Sequence, residues 1–95
     1  MENEDILLVE LTPSVEVIVN LLGDEMVALN LANGTYYGFN LVGTKIWDGL
    51  IAGERPNKIC TQIAAEFGVS VGQIEADARI YLTEMLNNKL ICRKT

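Results

Sequence analysis

The chain has 95 residues, of which 49% are hydrophobic and 21% charged, a profile that excludes intrinsic disorder and leaves room for one domain. Its net charge of −6 argues against nucleic acid as a partner, because phosphate backbones are bound by clustered lysine and arginine. It contains no histidine, the commonest general base and metal ligand, so we expect no enzymatic activity, no metal and no cofactor.

The N-terminal segment, MENEDILLVEL, is acidic where a secretion signal would be basic. No apolar run in the chain approaches the roughly 20 residues that a membrane-spanning helix needs. We therefore expect a cytoplasmic protein with no membrane partner. Residues 6–11 could form a short strand, which Pro13 separates from the elements that follow.

The first half of the chain then alternates between apolar and polar residues, which is the period of half-buried strands. SVEVIVNL and MVALNL are two such runs, joined by a reversal at Gly23-Asp24, and TYYGF is a third. Asn33-Gly34 before the third strand predicts a type I′ hairpin turn, since that turn needs positive φ at both central residues. These signals predict a three-stranded antiparallel sheet.

The second half predicts three helices. The first begins after an N-cap at Asn40 and stops at Gly53. The second has Pro56 in its first turn and Gly68 just past its end. The third and longest begins with a capping box at Ser70, and NNKLICRKT is expected to unwind into a tail. The fold class is therefore α+β, winged helix-like, with a three-stranded antiparallel sheet followed by three helices.

Groups that could carry out chemistry are sparse. The serines, the threonines, Cys60 and Cys92 have no histidine to activate them. The two cysteines form no C-x-x-C pair, so we expect two reduced thiols. A winged helix could bind DNA through its third helix, but here that helix exposes Glu75, Asp77 and Glu84, an acidic surface facing a polyanion.

The edge of the third strand is more informative. In a meander this strand has one neighbour, and TYYGF carries no charge, proline or bulge that would protect its free edge. Either the C-terminal tail or residues 6–11 cover the edge, or it is open and a peptide adds to it as a further strand. Tyr37 and Phe39 share the face expected to pack on the helices. Tyr36 and Gly38 share the other face, where Gly38 leaves room for another backbone.

The third helix carries a second line of residues beside its apolar stripe. Asp77, Ile80, Tyr81, Glu84 and Asn88 follow one another at helical spacing. Ile80 and Tyr81 are larger and more apolar than an exposed flank needs. They either complete the core or form one wall of a groove whose other wall is the strand edge.

Taken in order, these segments resemble a known family. GTYYGFNLVGTKIWDGL is similar to the strand-to-helix signature of the pyrroloquinoline quinone biosynthesis protein D family, which includes recognition elements of ribosomally made, modified peptides. VGQIEADARIYLTEMLNNKLI resembles its third helix, and LTPSVEV resembles its start. The resemblance covers about residues 11–91 and is strongest to the stand-alone leader-binding proteins of lasso-peptide clusters.

The resemblance implies one leader-peptide-recognition domain over residues 1–95 that catalyses nothing. The leader of a precursor peptide would lie as an added strand along the third strand and pack against the third helix. The protein would present the precursor to a leader peptidase and, as a further partner, a cyclase. The peptide-contacting residues implied in this way are Thr35, Tyr36, Tyr37 and Gly38 on the strand, Asp77, Ile80, Tyr81, Glu84 and Met85 on the helix, and Val27 and Leu29 on the neighbouring strand.

The charge of the leader and an alternative function stay open at the level of sequence. The acidity of the implied groove suggests a leader with lysine or arginine. A different class of function is a winged-helix structural or regulatory module that dimerises through the same edge. The chain is accordingly expected to be a monomer or an edge-paired or domain-swapped dimer.

Overall fold

A computed structural model describes residues 5–94, so the first four residues of the acidic N-terminal segment and Thr95 lie outside it. In chain order its elements are a 3₁₀ helix at Ile6–Leu8, β1 at Leu11–Pro13, β2 at Val17–Leu22, β3 at Glu25–Asn30, β4 at Tyr36–Phe39, α1 at Leu41–Ile51, α2 at Pro56–Phe67, α3 at Val71–Asn87 and β5 at Ile91–Arg93. Strands β2, β3 and β4 form an antiparallel sheet in that order. The predicted α+β fold, with a three-stranded sheet followed by three helices, is confirmed.

The helices begin and end where local chemistry predicts. The side chains of Asn40 and Ser70 each accept an N–H from the first turn of the helix that follows. Pro56 is the first residue of α2, and Gly68 ends that helix with φ +69°. Within residues 5–94 no helix combines the length and the apolar character needed to cross a bilayer.

One face of the sheet packs against the helices and forms the core. Phe39 contacts Trp47 of α1, with ring centroids 5.9 Å apart. The buried apolar residues that join the sheet and the helices include Met26, Ala28, Phe39, Ile46, Trp47, Leu50, Ile74, Ala78, Leu82 and Met85. Leu7 and Val9 are also buried, so the core includes residues ahead of β1.

The loop between β3 and β4 differs from the predicted turn. Among its residues only Gly34 has a positive φ, +73°, so Asn33-Gly34 is not the centre of a type I′ turn. The side-chain oxygen of Asn30 instead accepts the N–H of Ala32 at 2.8 Å. Such an Asx-type bond starts a wider reversal, and five residues separate the strands.

Asn30 also holds this loop against the end of α3. Its side chain is buried, and its amide nitrogen donates to the carbonyl of Lys89 at 2.8 Å. A buried amide with both ends paired is favourable, whereas leaving one end unpaired costs about 1–3 kcal/mol. The start of β4 is therefore fixed relative to the C-terminus of α3.

The C-terminus is not the predicted tail. Lys89 has φ +62°, and the N–H groups of Lys89 and Leu90 donate to the carbonyls of Leu86 and Met85 at 3.1 and 2.9 Å. This is the Schellman pattern, with lysine at the position that glycine usually occupies. It turns the chain back so that Leu90 is buried beneath the helix end.

After that turn, β5 pairs with β1. The two strands are antiparallel, with Thr12 opposite Cys92, and form a separate two-stranded sheet. The expectation of a strand at residues 6–11 was wrong, because Asp5 caps a 3₁₀ turn there and the strand begins only at Leu11. The two ends of the chain are thus tied to each other.

Replacing Asn30 tests the link between the loop and α3. We expect Asn30→Ala to lower the free energy of unfolding by about 2 kcal/mol, because the Lys89 carbonyl and the Ala32 N–H lose their partner. Asn33→Ala is the matched control in the same loop; it removes an exposed bond to the Thr35 N–H and should cost under about 0.5 kcal/mol. Urea denaturation followed by circular dichroism measures both. Equal losses of unfolding free energy in the two variants would contradict the role of Asn30 in linking the loop to α3.

Candidate peptide-binding site

The free edge of β4 is the main feature of the site. Within residues 5–94, β4 is hydrogen-bonded to β3 on one side and to no strand on the other. The tail and residues 6–11 do not cover this edge, since β1 and β5 pair with each other. Of the two interpretations left open by the sequence, the open edge is the one that the described chain adopts.

The register identifies which main-chain groups face outward. The N–H of Asn30 donates to the carbonyl of Thr35 at 2.9 Å, so these two residues form a hydrogen-bonded pair. Such pairs alternate along an antiparallel ladder, and Tyr37 lies opposite Ala28 in the next one. The N–H and C=O groups of Tyr36 and Gly38 therefore point away from β3, toward the open edge.

The outer face of the sheet lies beside these groups. Tyr36 is 71% exposed, and a Cβ added at Gly38 would meet no atom within 4 Å. Leu29 and Val27 are half-buried on this face, opposite Tyr36 and Gly38 respectively. Because Gly38 has no side chain, Val27 can be reached across it from the edge.

On the opposite face, Tyr37 joins the strand to α3. Its ring meets Phe39 edge-on, with centroids 5.0 Å apart, and both rings pack against the core, as the alternation predicted. Its hydroxyl donates to the Glu84 carboxylate. This contact spans the space between β4 and α3 and so fixes their separation within the groove.

The exposed flank of α3 forms the second wall. Ile80 is 62% exposed, which excludes a place in the core, whereas Tyr81 is half-buried and packs against the core cluster. A depression of about 300 Å³ lies here. It is lined by Asn40, Asp77, Ile80, Tyr81 and Glu84.

Tyr81 is held between α3 and the start of α1. A Cβ added at Gly43 would lie 3.0 Å from the Tyr81 ring, so the glycine makes room for it. Burial raises the pKa of the Tyr81 phenol, hydrogen bonding from Asn40 opposes that rise, and the negative charges of Asp77 and Glu25 add to it. Two carboxylates, one on α3 and one on β3, therefore act on the pKa of this phenol.

Three further residues near the groove are Met85, Thr35 and Asn40. Met85 is fully buried in the core at 0% exposure, so the expectation that it contacts a peptide is corrected: it faces inward, one helical step from the groove wall. Thr35 is half-buried just ahead of β4, with its carbonyl directed to β3. Asn40 lines the depression and was expected only as a helix cap. Its position directly after β4 was the one feature of the sequence that could have indicated a place in the groove.

The described residues offer little for bond chemistry. Burial raises the pKa of the Cys60 thiol to about 11, which keeps it protonated near neutral pH. Within residues 5–94 no group of three or more cysteine or carboxylate side chains is arranged to hold a metal ion. The arrangement suits main-chain hydrogen bonding along β4 and side-chain packing against α3.

Comparison with known proteins identifies the family. The family model described as coenzyme PQQ synthesis protein D (PqqD) matches residues 25–91, most of the chain. The chain belongs to the PqqD family. The matched segment holds β3, β4 and the three helices, which are the elements that build the groove.

Two solved structures share the PqqD-family fold of this chain. One, TbiB1 in complex with the TbiA(beta) leader peptide, is 38% identical, with a TM-score of 0.77, and the match covers 84% of this chain and 93% of that one. The other, lasso peptide synthetase B1 complexed with the leader peptide, is 23% identical with a TM-score of 0.77, covering 87% and 98%. At 23% identity the second likeness shows the fold alone. No curated protein matches the chain.

The raised pKa of Tyr81 provides a test of the groove's electrostatics. We expect its phenol to titrate above the ordinary value of about 10. Asp77→Asn should lower this pKa, because removing a nearby negative charge makes the phenolate less unfavourable. The ¹³Cζ chemical shift of Tyr81 followed against pH measures it. Glu75→Gln on the same helix makes the same change in net charge and should leave the pKa in place.

Proposed function

We propose that this protein binds the leader segment of a ribosomally made precursor peptide as an added strand on β4, packed against α3. The bound precursor is then presented to a leader peptidase and to a cyclase in lasso-like peptide biosynthesis. The observation that carries the proposal is the unpaired edge of β4 beside the exposed flank of α3. The 38% identical TbiB1, which has been solved with a leader peptide, supports it.

The main chain of β4 supplies the part of the affinity that does not depend on leader sequence. Tyr36 and Gly38 each offer one N–H and one C=O to an incoming strand. Each such bond contributes about 0.5–1.5 kcal/mol net, because the groups exchange water for the peptide. The leader gains this energy along its backbone whatever its side chains are.

Side chains of the leader would alternate between the two faces of the sheet. Those on the helix side meet Tyr81 and the rest of the α3 flank, and those on the outer side pass over Gly38 to reach Val27. The residues proposed to contact the leader are Val27, Leu29, Thr35, Tyr36, Tyr37, Gly38, Asp77, Ile80, Tyr81 and Glu84. Met85 packs in the core behind these residues and makes no direct contact with the leader.

The proposal assigns the chain a carrier's role. It is one leader-recognition domain over residues 1–95, without a cofactor, and it catalyses no step itself. Cleavage and ring closure fall to the partner enzymes, for which the groove leaves the remainder of the precursor free. The proposal puts the protein in the cytoplasm, where ribosomes release the precursor.

Binding of a leader is tested directly by NMR. A synthetic leader taken from a short reading frame that neighbours this gene should bind with a micromolar or lower Kd. The largest amide shifts should fall on Tyr36 and Gly38, whose N–H groups gain a partner, with smaller shifts on Ile80 and Tyr81. Shifts confined to α2 would place the peptide elsewhere, and no shifts with any neighbouring leader would refute the proposed function.

Two proline substitutions separate the outward from the inward amides of β4. Tyr36→Pro removes an outward donor, so leader affinity should fall about tenfold or more while the fold survives. Tyr37→Pro removes a donor to β3 and should instead lower the free energy of unfolding by about 3 kcal/mol. Tyr36→Ala controls for the lost ring. Calorimetric titration gives the affinities, and urea denaturation gives the free energies of unfolding. A loss of stability in Tyr36→Pro, with a loss of affinity alone in Tyr37→Pro, would contradict the register.

A further inference from the structure

The groove is lined by negative charge that nothing in its lining neutralises. Asp77 and Glu84 are both exposed on the α3 flank, and the other lining residues are uncharged. Lys45, Arg55 and Arg79 form ion pairs with carboxylates elsewhere. The groove therefore presents two carboxylates that form no salt bridge within residues 5–94, beside the edge where a strand would add.

A third carboxylate acts from the far side of β4. Glu25 begins β3 and lines a second depression of about 300 Å³ together with Val27, Gly38 and Asn40. Its charge and that of Asp77 both reach Tyr81. Carboxylates thus lie near the C-terminal end of β4 on both faces of the sheet, in a chain whose net charge is −6.

Resting on the proposed function, we infer that this groove selects a leader whose strand segment carries lysine or arginine on its helix-facing side. Alternate residues of an added strand face α3, so a side chain there lies within reach of Asp77 or Glu84. The aliphatic stem of lysine or arginine can cover Ile80 and Tyr81 while its charge reaches a carboxylate. An aspartate or glutamate at the same place meets like charge.

The same charges disfavour a second copy of the chain as the occupant. Two β4 edges paired about a two-fold axis would bring both α3 flanks to the same face of one continuous sheet. Asp77 and Glu84 of one copy would then lie near those of the other, and like charges placed so closely repel. The acidic flank thus protects the edge of β4 from pairing with another copy, as lysine or proline protects other open edges. A module that dimerises through this edge is accordingly disfavoured.

Charge variants of a leader peptide test the inference. The probe is a synthetic leader taken from a short reading frame that neighbours this gene, and its strand segment should contain lysine or arginine. Changing that residue to glutamine should raise Kd about two- to fivefold at low salt, and changing it to glutamate should raise Kd further. Both losses should shrink in 1 M NaCl, because salt screens exposed charges.

Variants of the protein provide the reciprocal test. The double variant Asp77→Asn with Glu84→Gln keeps the acceptor for the Tyr37 hydroxyl. It should raise the Kd of the unmodified leader by a factor similar to that of the glutamine substitution in the leader. Asp48→Asn, on α1 and outside the groove lining, should leave Kd unchanged. Asp77→Lys should restore affinity for the glutamate-substituted leader, as a direct charge pairing requires.

The possible outcomes separate this inference from the proposed function. A leader that shifts the β4 amides but has no basic residue in its strand segment, or whose charge variants all bind alike, overturns the inference alone. A free protein that sediments as a dimer which the leader dissociates overturns the argument against a second copy of the chain on this edge. A complete absence of leader binding refutes the proposed function itself.

Discussion

The groove depends on one buried side chain, the amide of Asn30. Its oxygen shapes the loop before β4, and its nitrogen binds the carbonyl of Lys89 at the end of α3. The two walls of the groove, a strand edge and a helix flank, are far apart in sequence and share few direct bonds. Asn30 fixes them at one end, and the Tyr37–Glu84 hydrogen bond joins them within the groove. A loss at either place would alter the spacing that an added strand must match.

The pairing of the chain ends has an equally direct effect on the site. A free β5 would be a ready partner for any open edge, including that of β4. Its pairing with β1 satisfies those main-chain groups elsewhere, and the ion pair between Arg55 and Glu10 holds the β1 end of the chain against α2. The edge of β4 stays available because the segments that could have covered it have their own partners.

The sequence predicted what local chemistry determines. Helix boundaries followed from Asn40, Pro56 and Gly68, and the faces of Tyr37 and Phe39 followed from alternation. It could not predict pairing between residues 80 positions apart, because strand partners are chosen by the whole fold. The turn at Lys89 was not predicted, because glycine is the residue that usually indicates such a turn and here its left-handed position is occupied by lysine. Met85 follows the apolar stripe of α3 into the core, as helical spacing indicates; its expected contact with a peptide was implied only by the family resemblance, and its 0% exposure contradicts that contact.

The absence of a cover over β4 among the described residues has a kinetic consequence. A peptide that meets this edge has no strand to displace and no segment to unfold, so association can proceed in one step at about 10⁵–10⁷ M⁻¹s⁻¹. At micromolar affinity such rates imply release within roughly ten seconds or less. Short residence suits the proposed function, because each molecule can then bind many leader peptides in turn.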